Sequence, residues 1–522
     1  MLTRYAAGGA VAAANHLAAT AGVAMLERGG NAVDAAIATS AVMAVTAPHM
    51  CGLGGDLFAV VAGPGAEPVA LNASGRAGAG ADPDRLRASG LSGMPFQNDI
   101  RAVTVPGYVD GLMALHERYA SLTLPELLAP AHRLAEQGFP VSPTLADESA
   151  ALDGGLRRLA FGGPDPLVRG RRLRAPGVAR AVAAIAESGR AGFYEGAAGR
   201  ELVALGAGEF SDDDLLRSNA DWNAGLSITA FGRRLWTAPP NSQGYLALAG
   251  AWIADAIGLP DDPTDERWAF VLVEAARQAA FDRVAVLYED ADGEQLLSED
   301  RLAARVDAVR DRASVDLADV YGDGGTTCVC AVDGDRAGVS LIMSNGADFG
   351  SQLVLPGHGI FLHNRGIGFS LQPGHRAEYG PGRRPPHTLT PLLLTDEDGA
   401  LDTTLGTMGG DAQPQVLMQL MARALVTGED PGAAVRAPRW VLSRDHPTGF
   451  NVWELDGPPI VRLEHGAPAS WKRGLERRGY RVAEASPGDH AFGHAQMIRV
   501  TDDGLFCGAA DPRSGDGACV GR

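Results

Sequence analysis

Residues 322–350 read "GDGGTTCVCAVDGDRAGVSLIMSNGADFG" and run a glycine pair, Gly324-Gly325, straight into Thr326-Thr327 and then into a strand. Apolar positions from Cys328 to Val332, a polar turn at 333–336 and a second apolar run from Val339 to Met343 predict a β-hairpin with the two threonines at its mouth. A threonine hydroxyl is a poor nucleophile unless a base stands within hydrogen-bond reach. One solution is the threonine's own α-amine, freed when the chain is cut before it. The flexible glycines would present the Gly325 carbonyl to the Thr326 hydroxyl, and an N-to-O acyl shift followed by hydrolysis would release that amine. The same residues also fit a glycine-rich loop that simply opens a threonine-rich strand.

A second stretch bears on the choice. In "TMGGDAQPQ", residues 407–415, two successive glycine N–H groups sit in a turn just before a helix. They form a concave donor pair suited to a tetrahedral oxyanion, with no Cβ to block approach; a plain strand-to-helix turn would look similar. Nucleophile and oxyanion donors together favour acyl transfer. "GLGGD" at 52–56 lacks the Lys-Ser/Thr of a phosphate loop, and its glycines precede a strand, so it reads as a tight turn with His49 beside it as a structural residue. No G-x-S-x-G elbow occurs, and no histidines have metal-ligand spacing, so neither a metal nor a cofactor is expected.

Composition narrows the class further. A net charge of −18 spread over both halves argues against nucleic acid as a partner and for small molecules. No stretch approaches the roughly 18 uninterrupted apolar residues of a membrane span. The five cysteines follow no metal spacing and read as packed, reduced thiols. The alanine-rich start continues as a helical pattern instead of reaching a cleavage site, which places the protein in the cytoplasm.

Along the chain, residues 17–28 and 31–46 predict two helices, the second buried on nearly all sides and capped by Asn31. Strands follow in "CGLGGDLFAVVA" and "VALNASGRAGAG"; residues 106–300 look mostly helical, 326–365 return to strands, 403–440 read strand, turn and long helix, and 480–522 are strands again. Strands, helices, strands, helix, strands suits packed sheets covered by helices better than a doubly wound parallel sheet.

Collinear motifs then carry a resemblance: "GGNAVDAAIATS" (29–40), "GLGGDLF" (52–58), "VPGYVDGL" (105–112), "LAPAHRLAEQGFPVS" (128–142), "FYEG" (193–196), "TT" (326–327), "FGSQLVLPGHGIFLHNRGIGFS" (349–370), "RRPPHTLTP" (383–391), "TMGGD" (407–411) and "GAADPRSGDGA" (508–518). In these the sequence resembles the γ-glutamyltransferase (γ-glutamyltranspeptidase) family of N-terminal-nucleophile hydrolases, nearly end to end. The resemblance implies an α+β, four-layer αββα sandwich and a precursor that cuts itself between Gly325 and Thr326. Fragments 1–325 and 326–522 would stay associated as a heterodimer, with a dimer of these also possible, and act on a small-molecule amide or peptide. By the same resemblance Thr326 is the nucleophile, Ser344 the second hydroxyl that holds it, and Gly409 and Gly410 the oxyanion donors. The implied family activity is γ-glutamyl transfer or glutathione hydrolysis.

The donor-binding pattern departs from that of typical members. Their segment like "NNQxDDF" is "HNRGIGF" here, so Arg365 stands where a Gln is expected and Gly368 where the ammonium-binding Asp is expected; Gly346 replaces an Asn. His387-Thr388 replaces the paired serines on the α-carboxylate, and Arg76 lies two residues beyond the position of the carboxylate-clamping Arg. Arg365, His387, Thr388 and Arg76 are the expected substrate-binding residues. A guanidinium at 365 favours an anionic acyl group and repels an ammonium, unless it serves an ion pair elsewhere. The competing expectations are an ordinary γ-glutamyl enzyme, an acylase for an oxamate-like or dicarboxylic acyl amide, and an inactive binding homologue.

Overall fold

The computed structural model describes residues 3–206, 208–309, 325–443 and 460–522; Gly324 of the expected glycine pair lies outside them. Strand Gly325–Asp333 pairs antiparallel with Gly338–Gly346, in a register that sets Thr326 opposite Ser344 and Cys328 opposite Ile342. This hairpin sits inside a seven-stranded sheet ordered Ala518–Gly521, Gly9–Ala13, Gly325–Asp333, Gly338–Gly346, Asp56–Ala62, Val69–Ala73, Asp221–Ala224. A second seven-stranded sheet runs Arg4–Ala6, Phe506–Ala510, Ala495–Val500, Leu401–Thr407, Leu392–Thr395, Arg233–Thr237, Leu226–Ala230. Each sheet takes strands from both sides of Gly325.

The period-two alternation of the hairpin explains the layering. Cys328, Cys330, Val332 and Ile342, with Phe58 of the neighbouring strand, point at the second sheet, where they meet Leu393 and Ile498. Val329, Ala331, Leu341 and Met343 point the other way, into a core shared with helices His16–Glu27, Ala32–Thr46, Tyr108–Tyr119 and Leu124–Gln137. Helices Tyr245–Ile257, Glu266–Ala280 and Gln413–Leu425 cover the outer face of the second sheet. The result is the four-layer αββα sandwich that the resemblance implied. Helix Ala32–Thr46 is buried at every residue because its side chains are small, and Asn31 and Asp34 close a reciprocal cap at its start. Between the sheets alanines and cysteines keep the layer thin; the Cys328 and Cys330 sulfurs lie 3.8 Å apart, and all five cysteines are free thiols.

Residues 106–300 are mostly helical, as the apolar pattern predicts, with short strands that the pattern did not show. Helices from Tyr108–Tyr119 to Glu299–Ala308 are present, but Asp221–Ala224, Leu226–Ala230 and Arg233–Thr237 are strands, and the chain steps from one sheet to the other at Gly225. Asp221–Ala224 and Leu226–Ala230 are edge strands with much of their length exposed, so the apolar alternation that marks a buried strand is faint there. No helix among the described residues is long and apolar enough to cross a membrane.

Candidate active site

At the mouth of the hairpin Thr326 is fully buried, and its Oγ1 lies 2.9 Å from Ser344 Oγ. Ser344 Oγ also accepts from the Gly346 N–H at 2.9 Å and from the Arg365 guanidinium at 2.5 Å, and it lies 2.5 Å from the Gly325 carbonyl oxygen. A serine hydroxyl has one proton and two lone pairs. With both lone pairs taken by N–H donors, its proton is directed at the Gly325 carbonyl, the bond a self-cleaving chain must activate. The neighbouring Thr327 faces the helix layer, in keeping with the alternation.

Arg365 reaches this point from a 3-10 turn, Arg365–Gly368, that follows strand Ile360–Phe361. Its backbone N–H donates to His363 Nδ1 at 3.1 Å, and a second guanidinium nitrogen donates to Thr388 Oγ1 at 2.7 Å. Burial pulls its pKa down to about 10, against the attraction of Asp56 and Asp411, so it remains a cation at neutral pH. At the end of the turn a Cβ on Gly368 would sit 2.5 Å from the Pro386 carbonyl, so an acidic side chain has no room at that position without backbone movement.

Gly409 and Gly410 stand after strand Leu401–Thr407, with φ of +130° and +51°. Side chains are strained in such conformations, so no Cβ stands beside these N–H groups. Gln243, fully buried, ties the turn to the substrate side: its Nε2 donates to the Gly410 carbonyl at 3.1 Å and to the Thr388 carbonyl at 3.0 Å. Asp411 follows at once, buried and 3.5 Å from the Arg283 guanidinium. The sequence reading passed over Gln243, Asp411 and Arg283; a buried amide in "NSQG" has no pattern that separates it from a loop glutamine.

Asp56, the last residue of "GLGGD", organises the wall behind Arg365. Its carboxylate accepts from the N–H groups of Gly75 and Gly107 and from His387 Nε2 at 3.2 Å. Burial opposes its ionisation, but facing histidines and the Gly107 N–H bring it down to about 2. His387 Nδ1 accepts from the Leu389 N–H, so the Nε2 proton goes to Asp56, and burial together with the nearby Arg365 cation lowers the imidazole to about 3.

The structure thus joins Ser344, Arg365 and Thr388 in one hydrogen-bonded cluster with Thr326 Oγ1 in contact with it at 2.9 Å, and Gln243 tethers Gly410 to this cluster. His387, expected beside the substrate, spends its ring nitrogens on Asp56 and the Leu389 N–H. Arg76, also expected there, is neutralised elsewhere: it pairs with Glu289 and Asp221 and donates to the Gly382 carbonyl, and none of these partners belongs to the cluster.

Relatives of known name share this chain over its whole length. The chain is 34% identical to an oxamate amidohydrolase proenzyme from Klebsiella pneumoniae and 33% identical to a glutathione hydrolase-like YwrD proenzyme from Bacillus subtilis, each alignment spanning 98% of both sequences. The solved structure of a cephalosporin acylase from Bacillus halodurans superposes with a TM-score of 0.89 at 32% identity, covering 100% of this chain and 97% of that one. The family model described as Gamma-glutamyltranspeptidase matches residues 18–521, and the chain therefore belongs to the γ-glutamyltranspeptidase family, as one of its amide-cleaving enzymes.

Proposed function

We propose that the protein cuts itself between Gly325 and Thr326, and that the new N-terminal threonine cleaves amides whose acyl half carries a carboxylate close to the scissile carbonyl. In maturation the Thr326 hydroxyl attacks the Gly325 carbonyl carbon, the peptide C–N bond breaks, and the nitrogen leaves as the Thr326 amine. Water then hydrolyses the ester. In turnover that amine takes the hydroxyl proton as Thr326 Oγ1 attacks the substrate carbonyl, and passes it to the departing nitrogen. Gly409 and Gly410 N–H groups hold the oxyanion, and water or an amine releases the acyl group. Fragments 1–325 and 326–522 stay together because strand Gly325–Asp333 is flanked by Gly9–Ala13 on one side and by its own hairpin partner on the other.

The observation that carries the substrate assignment is Arg365, whose guanidinium donates to Ser344 Oγ, itself 2.9 Å from Thr326 Oγ1. At an effective dielectric of about 20, a unit charge about 4 Å away gains or loses about 4 kcal/mol. A carboxylate adjacent to the carbonyl, as in the oxalyl group that is the acyl half of oxamate, fits that separation and charge; an α-ammonium does not. The name of the Klebsiella pneumoniae relative agrees with this choice. A γ-glutamyl donor is the second reading, supported by the name of the Bacillus subtilis relative.

The test is an acyl series on one leaving group. Oxalyl and glutaryl anilides should be cleaved better than the γ-glutamyl anilide by roughly tenfold to a hundredfold in kcat/KM, and Arg365→Gln should narrow the gap. A strong γ-glutamyl preference that survives Arg365→Gln would replace the first reading with the second.

A further inference from the structure

Beside Gly325 and Met408, the residue just before the oxyanion glycines, lies a cavity of about 310 Å³ that shares no residue with the Arg365 cluster. Among the described residues its ionisable lining is three carboxylates, of which Asp489 pairs with Arg462, and three imidazoles, with no lysine or arginine. His49 is 3% exposed, and among the described residues neither of its ring nitrogens has a hydrogen-bond partner. His494 is equally buried; its Nε2 meets His490 Nδ1 at 2.9 Å, but its Nδ1 has no partner. Burial holds both His49 and His494 neutral, at about 3, so each keeps an acceptor lone pair. Glu148 projects from helix Pro143–Ser149 with no ion pair or side-chain hydrogen bond among the described residues.

Buried polar atoms without partners cost free energy, and imidazole acceptors beside a carboxylate are satisfied by a ligand that donates hydrogen bonds and carries positive charge. We infer that this cavity receives the amine half of the substrate, or an acceptor amine, and that this half bears a second, cationic nitrogen held by Glu148 and the neutral His49 and His494. The inference rests on Thr326 being the nucleophile: the acyl half lies toward Arg365, and the departing amine toward Gly325 and Met408. The two sides of the nucleophile then have opposite charge preferences, anionic acyl and cationic amine. The same negative lining repels the Gly325 carboxylate formed by self-cleavage, which clears the cavity for substrate.

With the acyl group fixed at the best member of the acyl series, amides of 1,4-diaminobutane, butylamine and 4-aminobutanoate are compared at pH 8. The diaminobutane amide should exceed the 4-aminobutanoate amide by about tenfold or more in kcat/KM, and Glu148→Gln should remove most of that difference. Equal rates, or a preference for the anionic amine, overturn the inference. Binding of free 1,4-diaminobutane and 4-aminobutanoate, followed by calorimetry, needs no turnover. The diamine should bind, the amino acid should not, and Glu148→Gln should weaken the diamine by about tenfold; no binding, or binding indifferent to Glu148→Gln, refutes the site. Glu148-dependent diamine binding in a protein that cleaves no member of the acyl series would instead retain the cavity and remove the proposed reaction.

Discussion

Replacing Ser344 with alanine removes one hydroxyl but breaks four contacts, and their geometry sets the size of the effect. Ser344 Oγ is 2.5 Å from the Gly325 carbonyl oxygen, 2.9 Å from Thr326 Oγ1, and receives the Gly346 N–H and the Arg365 guanidinium. The guanidinium polarises the hydroxyl, so the bond to the carbonyl is charge-assisted and belongs at the strong end of the hydrogen-bond range. Loss of a single preorganised oxyanion donor costs about 2.7–4 kcal/mol, or a hundredfold to a thousandfold in rate. Ser344→Ala should therefore slow self-cleavage by that factor. It should also destabilise the precursor by about 1–3 kcal/mol, because a buried cation loses an acceptor. The assay is the appearance of the fragment beginning Thr-Thr-Cys-Val-Cys on denaturing gels over time, with Ser344→Thr as the control that restores the hydroxyl. Ser344→Ala protein that matures at the wild-type rate would refute the proton assignment. Maturation slowed equally in Ser344→Thr would trace the defect to packing instead of the hydroxyl.

Thr326→Ala should remain a single uncut chain with no turnover of any amide, whereas wild-type protein gives two bands; an active enzyme that persists as one band would remove the N-terminal-threonine mechanism. The buried histidines predict a pH dependence of stability. Burial lowers His49, His387 and His494 to about 3, far below the value near 6.5 in the unfolded chain, so between those values the unfolded state binds more protons. Stability should be full above about pH 6.5 and fall as the pH drops toward 3, by about 1.4 kcal/mol per pH unit for each histidine. Asp56, lowered to about 2, adds a further loss below about pH 4. Thermal unfolding midpoints of the Thr326→Ala precursor from pH 8 to pH 4 test this, and a flat profile between pH 6 and pH 4 would show that these rings are not held neutral.

The hairpin around Thr326 was legible because its information is local: a period of two, a polar turn and a glycine pair occupy consecutive residues, and the turn alone sets Thr326 against Ser344. The buried helix Ala32–Thr46, with its Asn31 cap, and the glycine pair before Gln413–Leu425 were legible for the same reason. Motif resemblance added the sandwich and the order of its layers. The edge strands between 221 and 230 escaped, since a half-exposed strand lacks the apolar alternation that marks a buried one. What surrounds Arg365 was decided by the tertiary structure alone. Charge by itself allowed Arg365 a surface ion pair, and Arg76 an equal claim to the substrate. Packing brought Arg365 to Ser344 and Thr388 and gave Arg76 to Glu289 and Asp221, residues 213 and 145 positions away along the chain. A guanidinium takes the carboxylate or hydroxyl that the fold places within about 3 Å, and contacts between residues so distant in sequence leave no periodicity for a linear reading to find.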